Sequence, residues 1–401
     1  MADLAKKTKR FCPVCKNRKG NTLHQICFAL PANHPLPETV DVMLCNQCGM
    51  VFHDSVASDE DYAAYYAHAG KYTGHTTAGA GGYTELEALR FKSRVDFLSP
   101  HIQPHSRIVD IGCGKGGLLS VFHSKGFDNT FGIEPSAECV SILQEHGVNG
   151  IVGSLFALPD LQPFDLIVVS HVFEHLNTPC DAMQNLKRIL RPEGLLYIET
   201  PDAEGYMKYF HKPYYYFDLE HINHFSLELL RLLADLNGFE VVSEFQGSDD
   251  VQLDFRKPSV GVLLRMRKSG CLKNVVADCQ LGRTMKNYIA RSAEQDQYPV
   301  INGLIESGMT FYIWGVGAFV GRLLAEGRFK GANLKGLIDI DPTKQGLSYA
   351  GYNVFSPDVL GPCTESQGVL IAAVQYEQSI RNQLIEFGFN GKIHVLHAET
   401  V

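Results

Sequence analysis

The run Ile108-Val109-Asp110-Ile111-Gly112-Cys113-Gly114-Lys115-Gly116-Gly117-Leu118-Leu119 narrows the possible folds more than any other part of the chain. A short apolar strand leads into a glycine-rich turn, and the turn leads into a helix start. Glycines there let a ligand approach the backbone, and the first N–H groups of the helix face it at the positive end of the helix dipole. Asp110 stands before the turn, which suits a ligand carrying positive charge better than a pyrophosphate. About twenty residues on, the next apolar run closes at Ile133-Glu134-Pro135, where a carboxylate can accept both hydroxyls of a ribose. The apolar runs Arg107–Gly112, Thr130–Glu134, Phe164–Ser170 and Leu195–Thr200 alternate with amphipathic helical stretches. That rhythm is the one expected of a doubly wound α/β sheet.

These residues resemble the cofactor motifs of class I S-adenosylmethionine-dependent methyltransferases. The family pattern D/E-x-G-x-G-x-G is matched by Asp110, Gly112, Gly114 and Gly116, and its ribose acid by Glu134. The resemblance implies a Rossmann-like core with S-adenosylmethionine held by Asp110, Gly112, Cys113, Gly114, Glu134, Ser154 and His171. The family often carries an Asp where Ser154 stands, so Ser154 or its neighbouring backbone is expected to hold the adenine amino group. A dinucleotide-binding dehydrogenase fits the later strands poorly.

Cys12-x-x-Cys15 and Cys45-x-x-Cys48-Gly49 are two knuckles whose four thiolates can close a tetrahedron around zinc. Two coincidental pairs, or a redox pair, are the plain alternatives. With all four positions filled by protein, such a zinc is structural and leaves no place for catalysis. The chain holds 11 cysteines, and its basic start is followed by a Cys knuckle rather than an apolar signal core. Metal ligands and buried thiols in the cytoplasm are therefore expected, not disulfides. Lys plus Arg number 36 against 44 Asp plus Glu, a formal charge of −8, which argues against wrapping a nucleic-acid backbone. No stretch approaches roughly 18 uncharged apolar residues, so no membrane span is expected.

The expected organisation is a zinc-binding module at 1–57, a Tyr- and Gly-rich linking segment at 58–90, and the methyltransferase core at 91–255. Connecting helices at 256–304 and a second, smaller Rossmann-like domain at 305–401 follow. In the last domain, Phe311–Arg322 is another strand, glycine turn and helix, and Gly336-Leu337-Ile338-Asp339-Ile340-Asp341-Pro342-Thr343-Lys344-Gln345-Gly346 closes the next strand with acids. A nucleotide or nucleotide-sugar pocket and a fold that has lost its ligand are equally open there, with a dinucleotide site behind them.

Two further stretches carry proton-transfer chemistry. His171-Val172-Phe173-Glu174-His175-Leu176 follows the fourth strand, on the side where open α/β sheets bind ligands. Tyr214-Tyr215-Tyr216-Phe217-Asp218-Leu219-Glu220-His221-Ile222-Asn223-His224-Phe225-Ser226 leads into an apolar-periodic helix with Ser226 suited to cap it. In both, an ordinary structural loop is the competing reading, and His224 and Phe225 are expected to be structural.

The three modules in this order, with the I-D-x-x-P-x-K-Q-G turn, resemble the sugar C-methyltransferases of deoxysugar biosynthesis. The resemblance implies methylation beside the ketone of a nucleotide-linked 4-keto-deoxysugar through an enolate. It implies the catalytic set His221 as base, Glu220 orienting it, and His175 and Tyr72 donating to the enolate oxygen, with Tyr66 the alternative to Tyr72. Asp218 stands where the family often has a tyrosine, a departure that favours the alternative, O- or N-methylation of a sugar, glycan precursor or other metabolite. A non-catalytic cofactor-binding scaffold is the third possibility, and the intact Asp110, Gly112, Gly114 and Glu134 speak against it. The partner expected on this reading is a small molecule, a nucleotide-linked sugar, with no nucleic acid and no membrane.

Overall fold

The computed structural model of the chain describes residues 5–68, 81–158, 160–252, 255–268, 275, 278–360 and 367–396. They fall into two compact units. The first comprises Met1–Leu23, Val42–Tyr209 and Glu220–Lys286, and the second His24–Asp41, Phe210–Leu219 and Asn287–Val401.

The amino-terminal strands are β1 (Lys6–Lys7), β2 (Lys19–Cys27), β3 (Thr39–Cys45) and β4 (Val51–Asp54), followed by helix α1 (Asp59–His68). Helix α2 (Glu85–Leu98) opens on a capping box, in which Thr84 accepts from the Glu87 N–H and Glu87 reaches back to the Thr84 N–H. Then come β5 (Ile108–Ile111), α3 (Gly117–Ser124), β6 (Thr130–Glu134), α4 (Ala137–Glu145), β7 (Asn149–Val152), β8 (Phe164–Ser170), α5 (Pro179–Ile189) and β9 (Leu190–Pro201). The short β10 (Asn223–His224), α6 (Leu227–Leu236), β11 (Phe239–Gln252) and β12 (Phe255–Met266) complete the series.

The core sheet runs β11-β12-β9-β8-β5-β6-β7. Its strands are parallel except β12, which is antiparallel to both neighbours. Strand β5 is buried along its whole length, as a parallel strand covered on both faces must be. The chain leaves β5 for β6 on one side, while β8 lies on the other. That reversal opens a crevice at the strands' carboxyl ends, where this class of sheet binds ligands. Leu119, Phe122, Leu143, Leu166, Val168 and Tyr197 pack together as the core. The α/β fold expected for the core is therefore present.

One boundary differs from expectation. The segment 256–304 was expected to be connecting helices, with the core ending at 255, but β12 carries the core sheet on to Met266. Val260, Val262, Leu263 and Leu264 are all fully buried. An apolar run buried on both faces has no period of two to mark it as a strand, so pattern alone does not separate it from a helix. Helices α7 (Cys279–Glu294) and α8 (Pro299–Ser307) come only after it.

A second sheet, β1-β2-β3-β4-β10, carries the cysteine knuckles. Its last strand comes from far along the sequence: β10 pairs antiparallel with β4, Asn223 opposite Phe52 and His224 opposite Val51.

The second unit contains β13 (Thr310–Trp314), α9 (Ala318–Ala325), β14 (Asn333–Ile338), β15 (Ser348–Tyr349), β16 (Tyr352–Phe355), β17 (Gln367–Ile371), α10 (Glu377–Glu386) and β18 (Lys392–Val395). Its sheet runs β15-β16-β14-β13-β17-β18 and is parallel apart from β15. This is the second, smaller Rossmann-like fold that the sequence rhythm indicates. At its margin the buried Arg322 guanidinium is clamped by Asp296, Glu326 and the Tyr298 hydroxyl.

Candidate functional site

The glycine turn after β5 is built from left-handed backbone. Gly112, Gly114 and Gly116 have φ of 75°, 54° and 90°. A Cβ on Gly112 would stand 2.6 Å from Val172 Cγ2, so the turn and the loop after β8 approach as closely as they do only because that atom is missing. The Gly114 N–H donates to Glu134 Oε2 and the Ser136 N–H to Glu134 Oε1, each at 3.0 Å. These two bonds aim the carboxylate at the turn and leave lone pairs for a diol. Burial pushes the Glu134 carboxyl up. Asp110 is pushed up to about 7, by burial first and then by the charge of Glu134. Two buried acids facing one turn are relieved by a cationic ligand, which is what the sulfonium and ammonium of S-adenosylmethionine offer.

Three of the expected cofactor residues need separate description. The Cys113 thiol turns away from the crevice: it packs in the core against Gly132, whose added Cβ would meet its sulfur at 2.7 Å. Only the Cys113 backbone faces the turn, because its side chain fills the gap that Gly132 leaves. Ser154 is half-buried after β7, in an isolated bridge with Ala157. His171 follows β8 with φ of 56°, a left-handed conformation that is costly for a residue bearing a Cβ and that collects at functional sites.

Beside this turn the structure gathers His171, Glu174, His175, Glu220 and His221 with two tyrosines of α1. His175 Nδ1 lies 3.0 Å from the Glu220 carbonyl oxygen. A carbonyl only accepts, so Nδ1 carries the hydrogen, and the Tyr66 hydroxyl oxygen at 3.1 Å shares it as a second acceptor. Nε2 is then the nitrogen whose protonation can change. The Tyr65 hydroxyl donates to Glu220 Oε1 at 2.8 Å. The His175 and His221 rings meet edge to face at 4.9 Å. Glu174 is 1% exposed, and its Oε1 lies 3.2 Å from His171 Nδ1 and 3.8 Å from His175 Nε2. Burial pushes the Glu174 carboxyl up, but the hydrogen bond from His171 and the charges of His175, His171 and His221 outweigh it and hold the group below its ordinary range.

The structure thus brings together His175, Glu220 and His221, as expected. Tyr72 lies outside the described residues. Tyr66 is the stated alternative to Tyr72, Glu174 belongs to the stretch from which it or His175 is expected to face substrate, and Tyr65 is the group that sequence reasoning misses. The signal for the tyrosines was their i, i+3, i+4 spacing at Tyr62, Tyr65 and Tyr66, which puts them on one helix face. The tyrosines before Glu220 are a correction. Tyr214 stacks on His24 at 4.5 Å, and the Tyr216 N–H donates to the Tyr288 hydroxyl, so both are packing residues of the second unit. His224 is fully buried with its Nδ1 3.2 Å from the Tyr206 hydroxyl, the structural role expected of it.

The knuckle module holds the loop of His221 directly. Arg10, just before Cys12, donates to the Ile222 carbonyl at 3.1 Å, to Asn223 Oδ1 at 2.6 Å and to Asn177 Oδ1 at 3.1 Å. Asn223 in turn donates to the carbonyls of Phe173 and Leu176. The two loops that carry His175 and His221 are therefore clipped to each other and to the amino-terminal strands. Burial draws the Arg10 guanidinium down to about 10.

The four cysteine sulfurs Cys12, Cys15, Cys45 and Cys48 lie within 4.8 Å of one another. The pairs Cys12–Cys48 and Cys15–Cys45 are each 3.5 Å apart, far beyond a disulfide bond. A zinc tetrahedron with Zn–S near 2.3 Å has an edge of roughly 3.8 Å, so the donor set fits that ion. Gly49 makes the second knuckle possible: its φ is 79°, and a Cβ there would meet the Asp278 carbonyl oxygen at 2.3 Å.

In the second unit, the I-D-x-x-P-x-K-Q-G turn consumes its own chemistry. Asp339 Oδ2 accepts from the Val316 N–H at 2.9 Å and from Lys344 Nζ at 3.1 Å, and Lys344 Nζ also donates to the Val316 carbonyl at 2.8 Å. Gln345 donates to the Asp339 carbonyl at 3.0 Å. The acid and the glycine turn that would serve a nucleotide are engaged with each other and with Lys344, which favours the fold that has lost its ligand.

Comparison with known proteins bears on the core. A family described as "Methyltransferase domain" matches residues 83–244. This stretch, which includes the glycine turn and Glu134, is what the chain shares with that family. Among curated proteins, the tRNA U34 carboxymethyltransferase of Saccharophagus degradans is 33% identical over 123 residues, 27% of this chain and 37% of that protein. The enzyme of the same name from Citrifermentans bemidjiense is 35% identical over 119 residues, 27% of this chain and 36% of that protein. The chain thus spans little more than a third of the length of these relatives. Among solved structures, magnesium protoporphyrin IX methyltransferase from Synechocystis has a TM-score of 0.38 at 15% identity, covering 53% of this chain and 99% of that one.

These relatives correct the expected partner. A nucleotide-linked sugar to the exclusion of nucleic acid does not stand when the curated proteins matching the core are named for tRNA. The exclusion rested on a formal charge of −8 averaged over 401 residues, whereas a polyanion responds to the field at one surface. No helix among the described residues is long and apolar enough to cross a membrane.

Proposed function

We propose that the chain transfers a methyl group from S-adenosylmethionine to a carbon beside a carbonyl, through an enolate. The observation that carries this reading is the convergence of His175, His221, Glu220, Tyr65 and Tyr66 next to the glycine turn. When bound, S-adenosylmethionine supplies an electrophilic methyl, held by Asp110, the Gly112–Gly116 backbone and Glu134. The protein's task is then to raise an acceptor's nucleophilicity and to place it.

His221 takes the proton beside the carbonyl. His175, whose Nδ1–H is fixed by the Glu220 carbonyl, donates to the developing negative oxygen from Nε2 in its doubly protonated form, and Tyr66 holds its ring in place. Glu220, fastened by Tyr65, shapes the loop on which His221 sits. The four cysteines hold a structural zinc, whose module keeps that loop in register through Arg10.

A second reading is favoured by the relatives: the acceptor is a nucleoside of tRNA. Mass spectrometry of the full chain with S-adenosylmethionine, in deuterated buffer, separates the two. One arm offers a panel of carbonyl acceptors that includes 4-keto sugars, and the other offers bulk tRNA. Deuterium uptake beside a carbonyl without methyl donor, and a mass gain of one methyl with it, support the enolate reading. Methylated tRNA with no exchange in the carbonyl panel overturns it in favour of the second.

A further inference from the structure

We propose that Glu174 is the counter-charge of the catalytic histidines, a positioning residue that stabilises the imidazolium formed when one of them takes the acceptor's proton. This rests on the reading of acceptor activation just given.

Glu174 sits in the turn Phe173–His175, 1% exposed, and its Oε2 is buried with no hydrogen-bond partner. A buried carboxylate with an unsatisfied oxygen is costly unless positive charge faces it. The groups that face it are imidazoles. His171 contacts Oε1 at 3.2 Å, His175 Nε2 lies 3.8 Å from Oε1, and one ring nitrogen of His221 falls within 4.8 Å of the other donors. Glu199 also lies near these rings, 3.9 Å from His171 Nε2, and Arg94 pairs with it. Glu220 accepts from Tyr65 with one carboxylate oxygen and presents its carbonyl to His175. Glu174 thus sets a fully buried carboxylate against the imidazoles of His171 and His175.

The chemistry balances simply. The acceptor's C–H bond breaks, its electron pair stays on the acceptor as the enolate, and the proton moves to an imidazole nitrogen. One positive charge appears in the cluster where one negative charge already waits. Glu174 need not touch the acceptor, since it acts through the ring that does.

Glu174→Gln keeps the shape and removes the charge, and Glu174→Asp keeps the charge and shortens the reach. Histidine side-chain NMR titrations on the protein without acceptor read the field directly. Turnover against pH reads its use. With Glu174→Gln, one or more cluster histidines should give up their protons about one pH unit or more lower, the acid limb of kcat/KM should move the same way, and kcat should fall on the order of a hundredfold. KM for S-adenosylmethionine should change by less than about threefold, and Glu174→Asp should recover part of the loss. A fall in rate with no movement of the titrations or of the acid limb would overturn the proposal, because a merely structural role predicts that. A divalent cation required for turnover and lost with Glu174→Gln would overturn it too, since Glu174, His175 and His221 would then be ligands. The titrations need no acceptor, so they stand or fall separately from the enolate reading.

Discussion

Arg10 donates from Nη2 to the carbonyl oxygen of Ile222 at 3.1 Å, across 212 positions of sequence. The residue beside a catalytic candidate is thus held by the residue beside a zinc-ligand candidate. Arg10→Met would leave the Ile222 carbonyl and the Asn223 amide without their charged partner, a loss of about 1.5–3 kcal/mol in the loop's preferred position. Turnover should fall at least tenfold while cofactor affinity, set by the Gly112–Gly116 turn and Glu134 rather than by the loop that Arg10 holds, stays within about twofold. Calorimetric titration with S-adenosylmethionine beside an activity assay checks both, and equal losses in the two would refute the separation.

Glu134 has both oxygens committed to N–H groups of the turn it serves. Glu134→Ala should weaken S-adenosylmethionine binding by ten- to a hundredfold with the fold retained, because the ribose loses an acceptor and two buried N–H groups lose theirs. Unchanged affinity by titration would remove Glu134 from the cofactor site.

Asp110 titrates in the neutral range, pushed up to about 7. A cationic ligand needs it ionised, so cofactor affinity should rise with pH through 7 and flatten above it. Stability of the unliganded protein runs the other way. The folded state holds the proton to higher pH than the unfolded chain, so this group's contribution is favourable at low pH and is lost as pH rises from about 4 towards 7. Asp110→Asn should abolish the pH dependence of binding, measured by titration at pH 5.5, 7 and 8.5; a wild-type slope in that variant would sink the assignment.

Metal analysis of the purified chain should find one zinc, and Cys45→Ser should lose it. Because the donor set organises β1 to β4 and β10, chelation should lower the melting temperature and abolish turnover together. A metal-free protein with unaltered melting and activity would show that the four sulfurs are only neighbours.

Arg322 is 2% exposed and answers Asp296 and Glu326. Arg322→Met removes the buried guanidinium and leaves half-buried Asp296 with Arg328 and the Tyr298 hydroxyl, a loss of about 1.5–3 kcal/mol. Thermal denaturation should show the loss in the transition of the second unit. A change below about 1 kcal/mol would mean that solvent reaches the carboxylates.

Much of the fold is legible from short signals. Ile108 to Gly117 and Ile133-Glu134 carry their geometry locally, in glycine conformation and strand ends, so the core crevice can be read along the chain. Strand β12 escapes because burial on both faces erases its period. The role of Glu174 escapes for a different reason: inside His171-Val172-Phe173-Glu174-His175 nothing marks the one acid as buried, and only the tertiary packing decides. The tyrosines of 214–216 mislead in the opposite sense. Their chemistry suggests proton transfer, but their partners His24 and Tyr288 come from distant segments that no local pattern reveals.

The pairing of β4 with the two residues of β10 has a consequence for biosynthesis. Val51 and Phe52 leave the ribosome long before Asn223 and His224, their strand partners. At typical rates of about 5–20 residues per second, the knuckle sheet waits roughly ten to thirty-five seconds with β4 as an open edge. A bound metal would carry the nascent module through that interval, holding its first strands in register until the middle of the chain arrives to complete both the sheet and the active loop.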